Sequence, residues 1–415
     1  MTVTTVPTVP AGPGVPAAPG TGSTPLLEVS GLRVEFRTAR GTVTVLDGVD
    51  YQLHRGRTLA VVGESGSGKS VTARAIMGIL PRKAARITGG SIKLAGVDVL
   101  RLPESQRRAV RGARIAMIFQ DALSALNPVL PVGFQIVEGC RRKEGLSRSA
   151  GRRRAVELMD QVGIPAAAAR VDAFPHEFSG GMRQRVMIAM ALARDPEVLI
   201  ADEPTTALDV TIQAQILRLL ADLQAERNMG LVMITHDMGV VANTADEIAV
   251  MYAGRVVERG SATDIFATPA HPYTRALLGS IPRPELRGLR LPAIAGSPPD
   301  PSAKPSGCPF RSRCPQAIAV CATDPPVVRW MPGGDGDPTT GTAGNAAGAA
   351  DPGAVSAAGA VSAAGAGGPV GAGAARTTDG GDGAAEVTVG GDGVARPAAE
   401  RMASCHLLTP PGDRS

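Results

Sequence analysis

Aromatic residues make up only 3% of this 415-residue chain, with one Trp, three Tyr and seven Phe, so its core must be largely aliphatic. The chain also lacks any run of about 18 or more uncharged apolar residues, so it does not cross a bilayer by itself. Residues 1–24 have no basic start and no continuous apolar segment, so they do not read as a secretory signal, and a cytosolic protein is expected. Five cysteines in that compartment point to metal binding or chance before disulfides. The excess of positive charge is small, +5, and alone is weak evidence for nucleic acid. The clusters Arg141-Arg142-Lys143 and Arg152-Arg153-Arg154 read as solvated helix faces.

Glycine and proline are plentiful, at 51 and 34 residues, so part of the chain is expected not to be globular. Residues 1–24 read as a disordered tail. Leu27 to Phe36 and Thr42 to Leu53 alternate as antiparallel strands, and a further strand pair is predicted at Ser91–Leu94 and Ala116–Phe119. Residues 121–180, opened by Asn127-Pro128 and Pro131, read as a helical insertion. Beyond it, helices at Met182 to Arg194 and Thr211 to Arg227 alternate with the apolar strands Val198–Ala201, Leu231–Ile234 and Ile248–Met251. Gly230 is expected to cap the second helix. Strands alternating with helices imply an α/β fold with a mostly parallel sheet. Past residue 262 the chain turns Pro-rich with short helices, and residues 332–398 are a Gly/Ala/Asp/Thr stretch that cannot bury enough apolar surface to fold.

The most specific stretch is Gly63-Glu64-Ser65-Gly66-Ser67-Gly68-Lys69-Ser70, between the apolar run Leu59–Val62 and a helical segment. Strand, G-x-x-x-x-G-K-[ST] and helix together make a phosphate-binding loop. Glycines let the backbone approach an anion closely, N–H groups and the helix N-terminus supply positive potential, Lys69 reaches the β- and γ-phosphates, and Ser70 offers a hydroxyl to Mg²⁺. Val198–Ala201 ends in Asp202-Glu203. Asp202 is placed to help hold Mg²⁺, and Glu203 to polarise an attacking water. Ser179-Gly180-Gly181, opening a helix 23 residues before Asp202, is a second anion site. Two such sites in one chain suggest a sandwich in which one subunit's loop holds the phosphates and the other subunit's Ser-Gly-Gly turn closes over the γ-phosphate.

Phe178-Ser179-Gly180-Gly181-Met182-Arg183-Gln184-Arg185, together with the phosphate loop and Asp202-Glu203, resembles an ATP-binding cassette ATPase of the transporter superfamily over about residues 26–262. Phe178 and Met182 depart from the usual Leu and Gln. The resemblance implies a lid-loop glutamine at Gln120 that contacts Mg²⁺, although Asp121-Ala122 follows where an acid and Pro are usual. It also implies an intersite loop at Ala207-Leu208-Asp209, a switch histidine at His236 and an adenine-stacking aromatic at Phe36. Read alone, His236 is a satisfied strand-end histidine, and Phe36 fits a core position as well.

Gln120–Pro128, Phe174–Phe178, His271–Leu278 and Gly307–Pro315 resemble the oligopeptide/dipeptide importer branch, which also includes nickel importers. The implied domains are a cassette over 25–262 with its helical subdomain at about 121–180, a C-terminal extension over 263–331, the insert 332–398, and the end of the extension with a tail over 399–415. The implied partners are two transmembrane permease subunits, a second cassette ATPase (another copy or a related chain) and, indirectly, an extracytoplasmic solute-binding protein, on the cytoplasmic face of the membrane and without nucleic acid. ATP and Mg²⁺ are the implied cofactors. Cys308, Cys314, Cys321 and Cys405 do not have zinc-ribbon spacing, and the resembled extension carries four cysteines that can bind a [4Fe–4S] cluster. Cluster, zinc and no metal all stay open, and Cys140 is expected unpaired and buried. A soluble cassette ATPase of DNA repair or translation is disfavoured by the single cassette and the permease-like docking stretch. A phosphate-loop kinase or GTPase leaves Ser179–Gly181 and His236 unexplained.

Overall fold

The computed structural model describes residues 24–206, 208–281, 293–323, 328–331 and 401–405. The expected tail, save its last residue, the insert 332–398, Ala207, and all of 399–415 but 401–405 lie outside the described residues.

The fold opens with two long antiparallel strands, β1 (Leu27–Thr38) and β2 (Gly41–Leu53). β3 (Thr58–Val62) passes into a second sheet and is followed by α1 (Lys69–Ile76). β4 (Ala85–Leu94) and β5 (Val97–Asp98) then complete a four-stranded sheet of order β2-β1-β4-β5. α2 (Glu104–Val110) leads to β6 (Ile115–Ile118). The predicted strand pair is thereby corrected: Ser91–Leu94 pairs with β1 in the small sheet, whereas β6 belongs to the large one. The reason lies in the patterns. β4 alternates between buried and half-buried positions at its end, as a strand covered on one face does. Ile115–Ile118 is buried at every position and needs cover on both faces.

The helical subdomain comprises α3 (Ala122–Ala125), α4 (Val132–Glu144), α5 (Arg148–Gln161) and α6 (Ala167–Arg170), and it returns to the core through α7 (Gly180–Leu192). Pro131 precedes α4, and Gly145, with φ +67°, ends it. The Ser147 hydroxyl caps α5 by accepting from Ala150 N–H. Val137, Leu158, Met159, Val186 and Ile188 pack in one aliphatic core, as the shortage of aromatics requires. Cys140 is free and buried there, as expected.

β7 (Val198–Asp202), α8 (Val210–Arg227), β8 (Gly230–Thr235), α9 (Met238–Thr244), β9 (Glu247–Tyr252) and β10 (Arg255–Ser261) follow. Gly230 does not cap α8. Asn228 does so at φ +47°, a conformation that Asn tolerates better than most side chains. Gly230 instead starts β8, where a Cβ would come within 2.7 Å of Leu53 Cδ2. The extension contributes α10 (Ala262–Ala267), α11 (Pro272–Gly279), α12 (Val320–Thr323) and β11 (Val328–Met331), and β12 (Arg401–Ser404) closes the described chain. The large sheet runs β11-β12-β10-β9-β3-β8-β7-β6. Its members β9, β3, β8, β7 and β6 are mutually parallel, and β10, β12 and β11 form an antiparallel margin.

Three of the eleven aromatic residues cluster between the parallel sheet and the extension. Tyr252 and Tyr273, two of the three tyrosines, meet at 4.7 Å between ring centroids. Phe310 stands edge-on to both, at 5.3 and 5.4 Å, the arrangement that ring quadrupoles favour.

Candidate nucleotide site

The neighbouring parallel strands β3, β8, β7 and β6 deliver the candidate residues from their carboxyl ends, where ligands bind in open α/β sheets. The phosphate loop follows β3, His236 follows β8, Asp202 ends β7 with Glu203 next, and Gln120 lies two residues beyond β6.

Within the loop, Gly63, Gly66 and Gly68 have φ of +148°, +80° and +106°. At Gly63 a Cβ would fall 2.2 Å from the Met251 carbonyl oxygen, so close backbone approach as well as conformation requires glycine there. Lys69 is buried, and its ammonium donates to the carbonyls of Gly63 at 2.7 Å and Glu64 at 3.0 Å. Burial lowers its pKa, partly offset by Glu203, Asp202 and Glu64. Ser67 Oγ is buried with no hydrogen-bond partner among the described residues. An orphaned hydroxyl in a loop of this form fits an anion. Ser70 Oγ donates to Asp202 Oδ1 at 2.8 Å, and burial pushes the Asp202 carboxyl up, opposed chiefly by that bond. These hard oxygen donors suit Mg²⁺. A polyanion at Lys69 and a divalent cation at Asp202 would each relieve a charge that burial disfavours.

Glu203 gathers the rest of the site. Its Oε2 accepts from Gln120 Nε2 at 3.0 Å and from Thr206 Oγ1 at 3.0 Å, and its Oε1 lies 3.4 Å from His236 Nδ1. Its backbone is held at φ +49° while its N–H donates to the Ile234 carbonyl. A non-glycine residue in that region stores strain, a feature that clusters at functional sites. The Thr206 contact has no counterpart among the sequence expectations, although Thr206 closes the stretch that starts at Asp202-Glu203.

Ser179 caps α7 through its hydroxyl, which accepts from Met182 N–H at 3.4 Å. Ser179 and Gly180 are exposed, and a Cβ on Gly181 would come within 2.8 Å of Ile212 Cγ2. Among the described residues no hydrogen bond joins this turn to the phosphate loop. Asp209, also exposed, caps α8 by accepting from Ile212 N–H at 2.9 Å, and its neighbour Val210 is 82% exposed. Phe36 is half-buried against the core of the small sheet. Ser65 and Gly66 are exposed at the mouth of the loop, whereas Gly68 is buried.

Two residues outside the cassette stretch also reach the loop. Arg313 donates to both Glu64 carboxylate oxygens, at 2.6 and 2.9 Å, and the Tyr273 hydroxyl accepts from Glu64 N–H at 2.9 Å. Both lie in segments singled out above, His271–Leu278 and Gly307–Pro315. Their common partner is about 200 or more residues away, beyond the reach of any local pattern.

Cys308, Cys314 and Cys321 join the aromatic cluster around Tyr252, and burial pushes the Cys308 and Cys314 thiols up, with the neighbouring Cys321 adding to it. Cys405 is buried beyond β12. Among the described residues no group of three or more His, Cys, Asp or Glu side chains is set to hold a metal ion.

A phosphate loop facing a strand-end carboxylate pair defines a phosphate-loop NTPase. The ABC transporter family model matches residues 46–206, and the model of the oligopeptide/dipeptide transporter C-terminal region matches residues 257–321. The dipeptide transport ATP-binding protein DppD of Bacillus subtilis is 51% identical over 71% of this chain and 88% of its own length. The oligopeptide transport ATP-binding protein OppD of Salmonella typhimurium is 49% identical over 74% of this chain and 91% of its own. Among solved structures, the ATP-binding cassette MJ0796, dimeric in a post-hydrolysis state with ADP and Pi, matches with 25% identity and a TM-score of 0.51, over 57% of this chain and 98% of that one. The chain belongs to the ATP-hydrolysing subunits of ABC transporters, in the oligopeptide/dipeptide branch. No helix among the described residues is long and apolar enough to cross a membrane.

Proposed function

We propose that this chain hydrolyses ATP at the cytoplasmic face of a membrane to drive import of dipeptides or oligopeptides through two permease subunits. A second cassette ATPase completes the site, and an extracytoplasmic solute-binding protein delivers the cargo. The observation that carries the reading is the constellation at the strand ends: Ser70 on Asp202, and Gln120, Thr206 and His236 around Glu203. Relatives about half identical, named for dipeptide and oligopeptide transport, support the cargo class.

When bound, ATP supplies the phosphoryl group, and Mg²⁺ supplies charge that stabilises its oxygens. Ser70, Asp202 and Gln120 would hold that ion. Lys69 and the N–H groups of the loop Gly63 to Ser70, save that of Glu64, which the Tyr273 hydroxyl takes, bind the phosphates. Glu203 orients and accepts a proton from the attacking water, and His236 donates to the transferring phosphoryl group. Catalysis then comes from positioning and charge rather than covalent chemistry. Ser179 and Gly180 are exposed and Gly181 is half-buried on this chain; the three would close over ATP held by the partner cassette, with Asp209 between the two sites. Phe36 would stack on adenine.

We also infer that Cys308, Cys314, Cys321 and Cys405 are the ligands of a [4Fe–4S] cluster. The Cys308 N–H donates to the Cys321 carbonyl at 2.9 Å, which supports bringing two of the four together. Anaerobic purification with iron and acid-labile sulfide assays tests it: zinc in their place, or a metal-free active protein, removes the proposal.

The cargo is tested by uptake of labelled di- and oligopeptides in cells lacking this chain. Loss of peptide uptake, restored by the wild-type chain, is expected. Intact peptide uptake with lost radionickel uptake would replace peptide by nickel within the same branch. Stable nucleic-acid binding without membrane partners would replace the transporter reading altogether.

A further inference from the structure

The phosphate loop of this chain is held from outside the cassette stretch. Glu64, its second residue, has three polar groups, and each is engaged. The carbonyl accepts from Lys69 Nζ, the N–H donates to the Tyr273 hydroxyl, and the carboxylate takes both terminal nitrogens of Arg313. A bidentate Arg–carboxylate pair is among the strongest and most directional polar contacts available to a protein. Arg313 is itself immobilised. Its side chain is 3% exposed, its Nε donates to the Ala295 carbonyl at 2.8 Å, and its guanidinium lies over the rings of Tyr252 and Phe310 at 5.9 and 6.0 Å. Tyr273 is fully buried in the same aromatic cluster.

Two physical consequences follow for ATP. The loop contains three glycines with positive φ, so its backbone is intrinsically free to depart from the anion-cradling form. Anchoring the residue next to Gly63 removes part of that freedom before ATP arrives, and preorganisation of this kind raises affinity. Second, Glu64 carries a negative charge beside the position of a polyanion, close enough to act on Lys69. Arg313 neutralises that charge where it stands.

We propose that Arg313 and Tyr273 are positioning residues for the ATP site, acting through Glu64 to hold the phosphate loop in its binding form and to cancel the Glu64 charge. The proposal rests on the reading of Gly63–Ser70 as the ATP site. It adds α11 and the turn that carries Arg313 to the nucleotide machinery.

The test is titration of the full-length chain with Mg²⁺ and the fluorescent N-methylanthraniloyl derivative of ATP. Arg313→Ala should weaken binding about tenfold, and Arg313→Lys, which keeps charge but not the fork, about threefold. Tyr273→Phe, which keeps the ring and removes only the acceptor of Glu64 N–H, should weaken it two- to fivefold. Adding Glu64→Gln to Arg313→Ala should recover part of the affinity, the share lost to the uncompensated charge, while the share lost with the anchor stays lost. A packing defect would not be rescued in this way. Should Arg313→Ala fail to fold, Arg313→Lys and Tyr273→Phe decide, and wild-type affinity in both overturns the proposal. It is equally overturned by a folded Arg313→Ala that binds like wild type, or by a double variant as weak as Arg313→Ala alone. Failure of the wild-type chain to bind would instead sink the reading of the ATP site.

Discussion

Gln120 donates its side-chain N–H to Glu203 Oε2 at 3.0 Å across 83 residues of sequence. The bond joins the entrance of the helical subdomain to the strand end that carries both carboxylates, since α3 begins two residues after Gln120. Movement of residues 121–131 against the sheet would therefore change the donors around Glu203 without touching the phosphate loop.

Glu203→Gln should leave ATP binding intact and lower kcat by roughly 10²- to 10⁴-fold, the range expected for loss of a general base. The amide keeps the shape of the side chain but cannot take a proton. Single-turnover hydrolysis in the assembled transporter measures it, and a near wild-type rate would assign the base elsewhere. In size-exclusion chromatography with Mg-ATP, the same variant should accumulate as a pair of cassettes.

Lys69→Ala should weaken ATP binding roughly 10- to 100-fold, the worth of a hydrogen bond from a charged group in a buried site. The ammonium already spans two loop carbonyls. Its loss frees the loop as well as removing charge. Equilibrium titration with labelled ATP at fixed salt checks this, and affinity within twofold of wild type would contradict it.

Residues 332–400 connect β11 to β12, and Met331 pairs with Arg401 across the two strands. Replacing that connection by a two-residue Asn-Gly turn, suited to an antiparallel hairpin, should leave the melting temperature within about 2 °C and ATP affinity unchanged. Arg401 itself is not dispensable. Its guanidinium donates at 2.7 Å to Glu258, which is fully buried. Arg401→Met should cost about 3–5 kcal/mol by leaving an uncompensated buried carboxylate. Chemical denaturation of the two variants distinguishes connection from anchor.

Stability should fall as pH drops through the His271 window. Burial lowers the His271 pKa to about 4 from 6.5, while Glu258 works against the shift and Arg275 with it. Between these values the unfolded chain takes up a proton that the folded chain refuses. Stability is therefore full above about pH 6.5 and declines down to about pH 4, by about 3 kcal/mol from this group. His271 also caps α11 by accepting from Tyr273 N–H at 3.0 Å. His271→Asn keeps a capping acceptor and should flatten the slope. An unchanged pH profile in that variant would assign the acid sensitivity to other groups.

The nucleotide site was legible before folding because its chemistry is local. Gly63–Ser70 needs only a strand, a flexible loop and a helix start, and Asp202-Glu203 needs only a buried strand with acids at its end. Alternation and apolar runs likewise announced most strands and the helices α1, α7 and α8. The errors arose where neighbours decide. Ser91–Leu94 and Ile115–Ile118 are both short apolar strands, and only their partners assign them to different sheets. Gly230 was a plausible cap until Leu53 occupied the space a Cβ would need.

By itself, then, the sequence determined the phosphate loop, the carboxylate pair, the Ser-Gly-Gly turn and the alternation of strands with helices, since each depends on residues within a few positions of one another. Tertiary structure alone decided that Gln120, Thr206 and His236 meet at Glu203, and that Arg313 and Tyr273 grip Glu64 from more than 200 positions away. Bonds across such separations depend on how sheets and extension pack, and side-chain periodicity records only that a face is buried, not what it is buried against.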